Sequence, residues 1–210
     1  MMGTLLIARH HESEWNKEGR WTGAHDSHLT VYGFQKSQEM GDLIKDIRID
    51  CAFASMQVRA IETLSCMLEG RNTKNIPVEY DAAFNERDYG DYTGKNKWEM
   101  EQILGEEKFN CVRRDWDCPV PGGETLKMVY ERAVPHFVED VLPRLREGKN
   151  VLIVSHGNAL RALEIYIEQI PHEDAPKVEM LFGGIIIYTL DEQGHSLTKE
   201  VRQVSSQVNA

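Results

Sequence analysis

Two short apolar runs, far apart in the chain, each lead straight into a histidine. Leu5–Arg9 runs into His10, and Val151–Ser155 runs into His156. Both are strand-sized and continuously apolar, which is how a strand covered on both faces reads. Helical patterns alternate with these and other strand-like segments. Thr30 caps a predicted helix to about Ile47, with Phe34, Met40, Ile44 and Ile47 on one face. Asp50–Ser55 reads as a strand, Val58–Leu68 as a helix, Pro77–Tyr80 as a strand and Lys95–Leu104 as a helix. Arg113–Glu124, with Pro119, Pro121, Gly122 and Gly123, reads as a loop. Leu126–Arg146 is a long helical pattern that Pro135 should kink or split. Ala159–Ile170 carries the stripe Leu160, Leu163, Ile167 and Ile170, and Gly184–Leu190 is a late strand. The fold class expected is α/β, with a mostly parallel central sheet and helices on both faces. One domain should span 1–210, with a mobile tail over 201–210.

Composition removes several function classes. Twenty-four basic against thirty-four acidic residues leave a net charge of −10. A general nucleic-acid or anionic-membrane surface needs a basic face, so neither partner is expected. An anionic small molecule stays open, provided the basic residues cluster. The apolar run near the start is four residues long, too short for a signal-peptide core, and no run approaches a membrane span. Cys51 and Cys66 sit in apolar stretches and read as core residues. Cys111 and Cys118 have the option of pairing, but four reduced thiols and a cytoplasmic location are the simpler expectation.

In an open α/β sheet, sites form at the carboxyl ends of strands, where His10 and His156 fall. Alone, a strand-end histidine is more often structural than catalytic. Here Arg9 precedes His10, Arg59 opens the helix after the second strand, and His156 begins a strand–turn–helix junction. A neutral imidazole can attack phosphorus, and arginine can grip phosphate oxygens bidentately. A helix start near Ala159 offers free N–H groups to an anion. Glu86, in loop context, is a candidate proton donor. His25-x-x-His28 has no second ligand pair at zinc spacing, so no metal is expected.

These segments resemble the histidine phosphatase superfamily and, within it, the 2,3-bisphosphoglycerate-dependent phosphoglycerate mutases. The family's R-H-G-E-S-x-W-N matches as Arg9-His10-His11-Glu12-Ser13-Glu14-Trp15-Asn16. F-T-G matches as Trp21-Thr22-Gly23, and R-A-x-x-T as Arg59-Ala60-Ile61-Glu62-Thr63. The mutase stretch appears in Phe84–Gly90 and Gly94–Lys97, the paired arginines in Arg113-Arg114, and A-H-G-N-S-L-R-A-L in Ser155–Leu163. Six motifs run in order over nearly the whole chain.

The resemblance implies that His10 becomes a phosphohistidine, with Arg9, Arg59 and His156 around the transferred phosphoryl group. It implies that Glu86 is the general acid and base. Asn16, Gly157 and Asn158 would complete the phosphoryl pocket, while Thr22, Gly23, Tyr89, Lys97, Arg113 and Arg114 would grip the rest of the substrate. The reaction implied is interconversion of 3- and 2-phosphoglycerate, primed by 2,3-bisphosphoglycerate, without metal. Monomer and homodimer are both open.

Two departures bear on this. The family's glycine after the catalytic histidine is His11 here, which would either narrow the pocket or add a phosphate contact. The segment after the paired arginines, Asp115–Gly123, is short, so less cover is expected over the site. Asp88 and Ala159 are smaller changes. Two alternatives follow: a phosphatase of small phosphate esters using the same core, and a non-catalytic phospholigand-binding protein disabled by His11.

Overall fold

The computed structural model describes residues 2–71, 73 and 75–205. Its six strands are β1 (Thr4–Arg9), β2 (Cys51–Ala54), β3 (Val78–Tyr80), β4 (Val151–Ser155), β5 (Gly184–Leu190) and β6 (Ser196–Gln203). They form one sheet in the order β3-β2-β4-β1-β5-β6. The first four are mutually parallel, and β5 runs against β1 and β6. The sheet is therefore mostly parallel, as expected.

Side-chain alternation in β1 and β4 feeds two cores. Leu5, Ile7, Val151 and Ile153 point to one face, and Leu6, Ala8, Leu152 and Val154 to the other. Helices α2 (Val31–Leu43) and α3 (Val58–Gly70) cover the second face with Met40, Leu64 and Met67. Helices α6 (Leu126–His136), α7 (Leu142–Arg146) and α8 (Gly157–Ile167) cover the first with Val134, Leu145, Leu160 and Leu163. Each fully buried leucine or isoleucine here is worth roughly 2 kcal/mol of transfer free energy. Three other helices, α1 (Glu14–Lys17), α4 (Lys97–Leu104) and α5 (Glu106–Arg114), sit in the segments that leave the sheet's carboxyl edge.

Several expectations are corrected. Thr30 caps α2, but the helix ends at Leu43 and Phe34 faces solvent rather than the core. Arg113 and Arg114 are not in a loop; they close α5, whose nine residues bury only Phe109 and Val112. Pro135 lies inside α6, and the chain continues as a π turn over Phe137–Val141 before α7. Pro135 and Pro143 each lack the N–H that an α-helical ladder needs, and the wider turn lies between them. The segment expected as a tail begins inside the sheet: Val201–Gln203 belong to β6, and Val204 is buried against the α2–α3 face. Residues 206–210 of that expectation lie outside the described residues. Cys51 and Cys66 are free and buried as expected, but Cys111 and Cys118 form a disulfide, their Cα atoms 5.7 Å apart. Among the described residues, no helix is long and apolar enough to cross a membrane.

Candidate active site

The register of β1 against β4 pairs Arg9 with Ser155, so the next residues leave the sheet side by side. The His10 N–H donates to the Ser155 carbonyl at 3.0 Å. The two imidazoles that follow lie 4.9 Å apart, centroid to centroid. Both are buried. Burial first, then the charges of Arg59 and Arg9, hold the His10 ring well below the usual histidine range. His156 is lowered in the same way, by burial, Arg59, His10 and Arg9.

His10 Nδ1 lies 2.6 Å from the His11 carbonyl oxygen, an acceptor only, so Nδ1 carries the proton. Nε2 is left with its lone pair. His156 Nε2 shares a 2.6 Å hydrogen bond with Ser55 Oγ, at the end of β2.

Arg59, near the start of α3, is fully buried. It donates to the carbonyls of His25 (2.8 Å) and Gly23 (2.9 Å). Burial lowers its pKa to about 10. The Arg9 guanidinium lies 3.6 Å from the Phe182 ring centroid and donates to the Met180 carbonyl. Four buried polar atoms around these histidines have no protein partner: Arg9 Nε, Arg59 Nε, Thr22 Oγ1 and His156 Nδ1. Buried donors left unpaired are costly, and an anion would satisfy them.

Glu86 follows a 3₁₀ turn. Its Oε1 accepts from the backbone N–H groups of Arg87 (2.8 Å) and Asn158 (3.1 Å). The carboxylate is thereby tied to the first turn of α8. Asn158 Nδ2 donates to the Tyr89 hydroxyl at 3.1 Å, and Tyr89 stacks on Trp21. Asn16 caps α1 together with Ser13, whose N–H and Oγ both contact Asn16 Oδ1. Gly23 has φ +52°, and a Cβ there would sit 3.0 Å from the Tyr89 nitrogen. Lys97 opens α4 and is mostly buried; burial, then the neighbouring arginines' charge, lowers its pKa.

One cavity of about 240 Å³ is lined by thirteen of the fourteen expected residues: Arg9, His10, Asn16, Thr22, Gly23, Arg59, Glu86, Tyr89, Lys97, Arg113, Arg114, Gly157 and Asn158. His156 is fully buried and reaches the site through its contact with His10. In a chain of net charge −10, this lining holds six arginine or lysine cations against Glu86 and Glu179. Such a pocket suits a small polyanion.

Six lining residues were not anticipated: Trp21, Arg161, Glu179, Met180, Leu181 and Phe182. Trp21 and Arg161 lie within the recognised motifs. Glu179–Phe182, just before β5, carry no motif and are found only through the fold. Glu179 forms an ion pair with Arg114 at 2.9 Å.

The expectations for His11 are corrected. It does not line the cavity, so it neither narrows the pocket nor adds a contact there. Its Nδ1 accepts from the Glu12 N–H at 2.8 Å, and its ring meets Tyr32 edge-on. The space it fills is opened by Gly183 (φ +64°), where a Cβ would come within 2.6 Å of the imidazole. His25 stacks on Trp15 at 3.8 Å, and His28 pairs with Glu62, so these two histidines are engaged elsewhere.

The model of the histidine phosphatase superfamily (branch 1) matches residues 5–202. A 2,3-bisphosphoglycerate-dependent phosphoglycerate mutase of Parvibaculum lavamentivorans is 39% identical over 96% of this chain and 97% of its own. One from Nitrobacter hamburgensis is 41% identical over 89% and 91%. Among solved structures, a mycobacterial glucosyl-3-phosphoglycerate phosphatase superposes with a TM-score of 0.84 at 21% identity, covering 97% of this chain and 100% of that one. At that identity the likeness speaks to the fold alone.

Proposed function

The chain belongs to the histidine phosphatase superfamily, branch 1, and on that premise we propose that it is an isomerase interconverting 3-phosphoglycerate and 2-phosphoglycerate through a phosphohistidine at His10. The observation that carries the reading is the set Lys97, Arg113 and Arg114, which lines the same cavity as His10. Removing a phosphoryl group requires cations at one end of a pocket. Holding a phosphoglycerate in two orientations also requires cations for the other phosphate position and the carboxylate. Full-length relatives near 40% identity that are named mutases support the same choice.

The proposed chemistry uses each residue in turn. With 2,3-bisphosphoglycerate bound, the His10 Nε2 lone pair attacks one of its phosphorus atoms, and the bond from that phosphorus to its glycerate oxygen breaks, leaving a monophosphoglycerate. The leaving oxygen takes a proton from the Glu86 carboxyl group. Arg9, Arg59 and His156 surround the phosphoryl oxygens and stabilise the transition-state charge. The Nδ1–H to His11 hydrogen bond stabilises the phosphorylated ring. In reverse, Glu86 takes the proton from the hydroxyl on the other carbon as that oxygen attacks phosphorus and the bond to Nε2 breaks. Asn16, Thr22, Gly23, Tyr89, Gly157 and Asn158 orient the substrate between the two events. The pocket's cations and unpaired donors fit 2,3-bisphosphoglycerate, which would supply the phosphoryl group that primes His10. On this reading the chain acts on phosphoglycerates in the cytoplasm.

A hydrolase of simple phosphate esters built on the same core needs cations only around the phosphoryl group. The non-catalytic reading rested on His11, which packs away from the cavity. The test is a paired assay on one sample. One arm follows 3-phosphoglycerate conversion with catalytic 2,3-bisphosphoglycerate, and the other follows inorganic phosphate release. Isomerisation with little phosphate release supports the mutase. Phosphate release without isomerisation would replace it with a phosphatase.

A further inference from the structure

Arg161 lines the active-site cavity, yet both of its amino groups are spent inward, and only its Nε–H has no protein partner. It lies in α8 and is buried. Nη1 donates to the Asn158 Oδ1 (3.0 Å) and the Arg113 carbonyl (3.3 Å). Nη2 donates to the carbonyls of Arg114 and Ala175, both at 2.7 Å. Four acceptors match the four Nη hydrogens, so neither amino group has a donor left for a ligand.

The acceptors are informative. Arg113 and Arg114 are the last residues of α5, where helical carbonyls lack intrahelical partners. A buried guanidinium satisfies both and offsets the negative end of the helix dipole. The same group holds Asn158 by its oxygen, which turns the Nδ2 amide toward the Tyr89 hydroxyl. One planar fork therefore ties the first turn of α8, beside His10 and Glu86, to the helix end that delivers two of the pocket's cations. An ammonium group has neither the planarity nor the reach to span four such acceptors.

We propose that Arg161 is a positioning residue for substrate recognition: through its two amino groups it sets Arg113, Arg114 and the Asn158–Tyr89 pair at the pocket end that grips the non-transferred part of a phosphoglycerate. The inference rests on the mutase reading for the identity of that ligand.

The test is calorimetric binding of 3-phosphoglycerate and of inorganic phosphate to the whole protein and to Arg161→Lys and Arg161→Gln, with kcat of isomerisation alongside. The variants should bind 3-phosphoglycerate about tenfold or more weakly, with a larger change in KM than in kcat and with phosphate affinity within about threefold of the parent. Unchanged affinity for 3-phosphoglycerate in folded variants overturns the proposal. An equal loss for phosphate also overturns it, because Arg161 would then act on the phosphoryl end. Failure of both variants to fold overturns it as well, since Arg161 would then support the whole domain. The mutase reading fails separately, and visibly, if the parent binds 3-phosphoglycerate no more tightly than phosphate.

Discussion

His10 donates its Nδ1–H to the backbone carbonyl of His11 over 2.6 Å. A backbone acceptor cannot titrate or rotate away, so the reactive nitrogen is chosen by main-chain geometry. The side chain of residue 11 takes no part. His10→Ala should therefore lower isomerisation by at least about 10⁴-fold, as loss of a covalent nucleophile does. Steady-state assays at saturating primer measure this, and a residual rate within tenfold of the parent would remove His10 from the nucleophile's role.

The side chain at position 11 should matter to stability and not to turnover. The imidazole fills the space over Gly183 and against Tyr32, outside the cavity. His11→Gly leaves a void and adds backbone freedom, so a loss of about 1–3 kcal/mol is expected, with kcat within about threefold. Urea unfolding and the isomerase assay together check it. A more active glycine variant would mean that the imidazole obstructs the site.

Acid should weaken the fold through the histidine pair. His10 and His156 are held neutral, below their usual range, chiefly by burial. Below about pH 6.5 the unfolded chain binds protons at these rings that the folded chain does not, so stability falls as pH falls. The urea midpoint should drop on going from pH 7 to pH 5. His156→Asn should flatten that drop.

Glu164 should act in the opposite sense. It is 3% exposed, and burial raises its pKa to about 7. Lys199 lies 3.3 Å away but is closer to Glu168, at 2.6 Å, so its charge is spent mainly there. From about pH 4.5 to 7 the unfolded chain has released a proton that the folded chain retains, and stability falls as pH rises. Glu164→Gln should stabilise the protein by about 1–3 kcal/mol at pH 8 and by little at pH 5. Thermal unfolding at the two pH values compares them directly, and equal effects would show that Glu164 is ionised in the fold.

Arg114 is shared between the pocket and Glu179. A substrate carboxylate must compete with that partner. Glu179→Gln should lower KM for 3-phosphoglycerate by about two- to fivefold, the modest size reflecting an exposed ion pair. An increase in KM would instead make Glu179 a substrate-orienting group.

The site was legible because its ends are strand ends. Leu5–Arg9 and Val151–Ser155 are apolar enough to be read as buried strands, the family resemblance supplied the grouping of His10 with His156, and the pairing of β1 with β4 is seen only in the structure. The rest was hidden for identifiable reasons. Helix α5 carries five charges in nine residues, and its apolar stripe is only Phe109 and Val112. Strand β6 is a polar edge strand, mostly exposed, and becomes a strand only by pairing with β5. Glu179–Phe182 reach the pocket because of where β5 begins. The partners of Arg161 are backbone carbonyls, which side-chain motifs do not report.

The most direct test of the account is to mix the protein with 2,3-bisphosphoglycerate, quench at alkaline pH and map the bound phosphate by mass spectrometry. The prediction is an acid-labile phosphate on His10 that 3-phosphoglycerate discharges as bisphosphoglycerate, not as free phosphate. A phosphate on another residue, or isomerisation with His10 unmodified throughout, would contradict it.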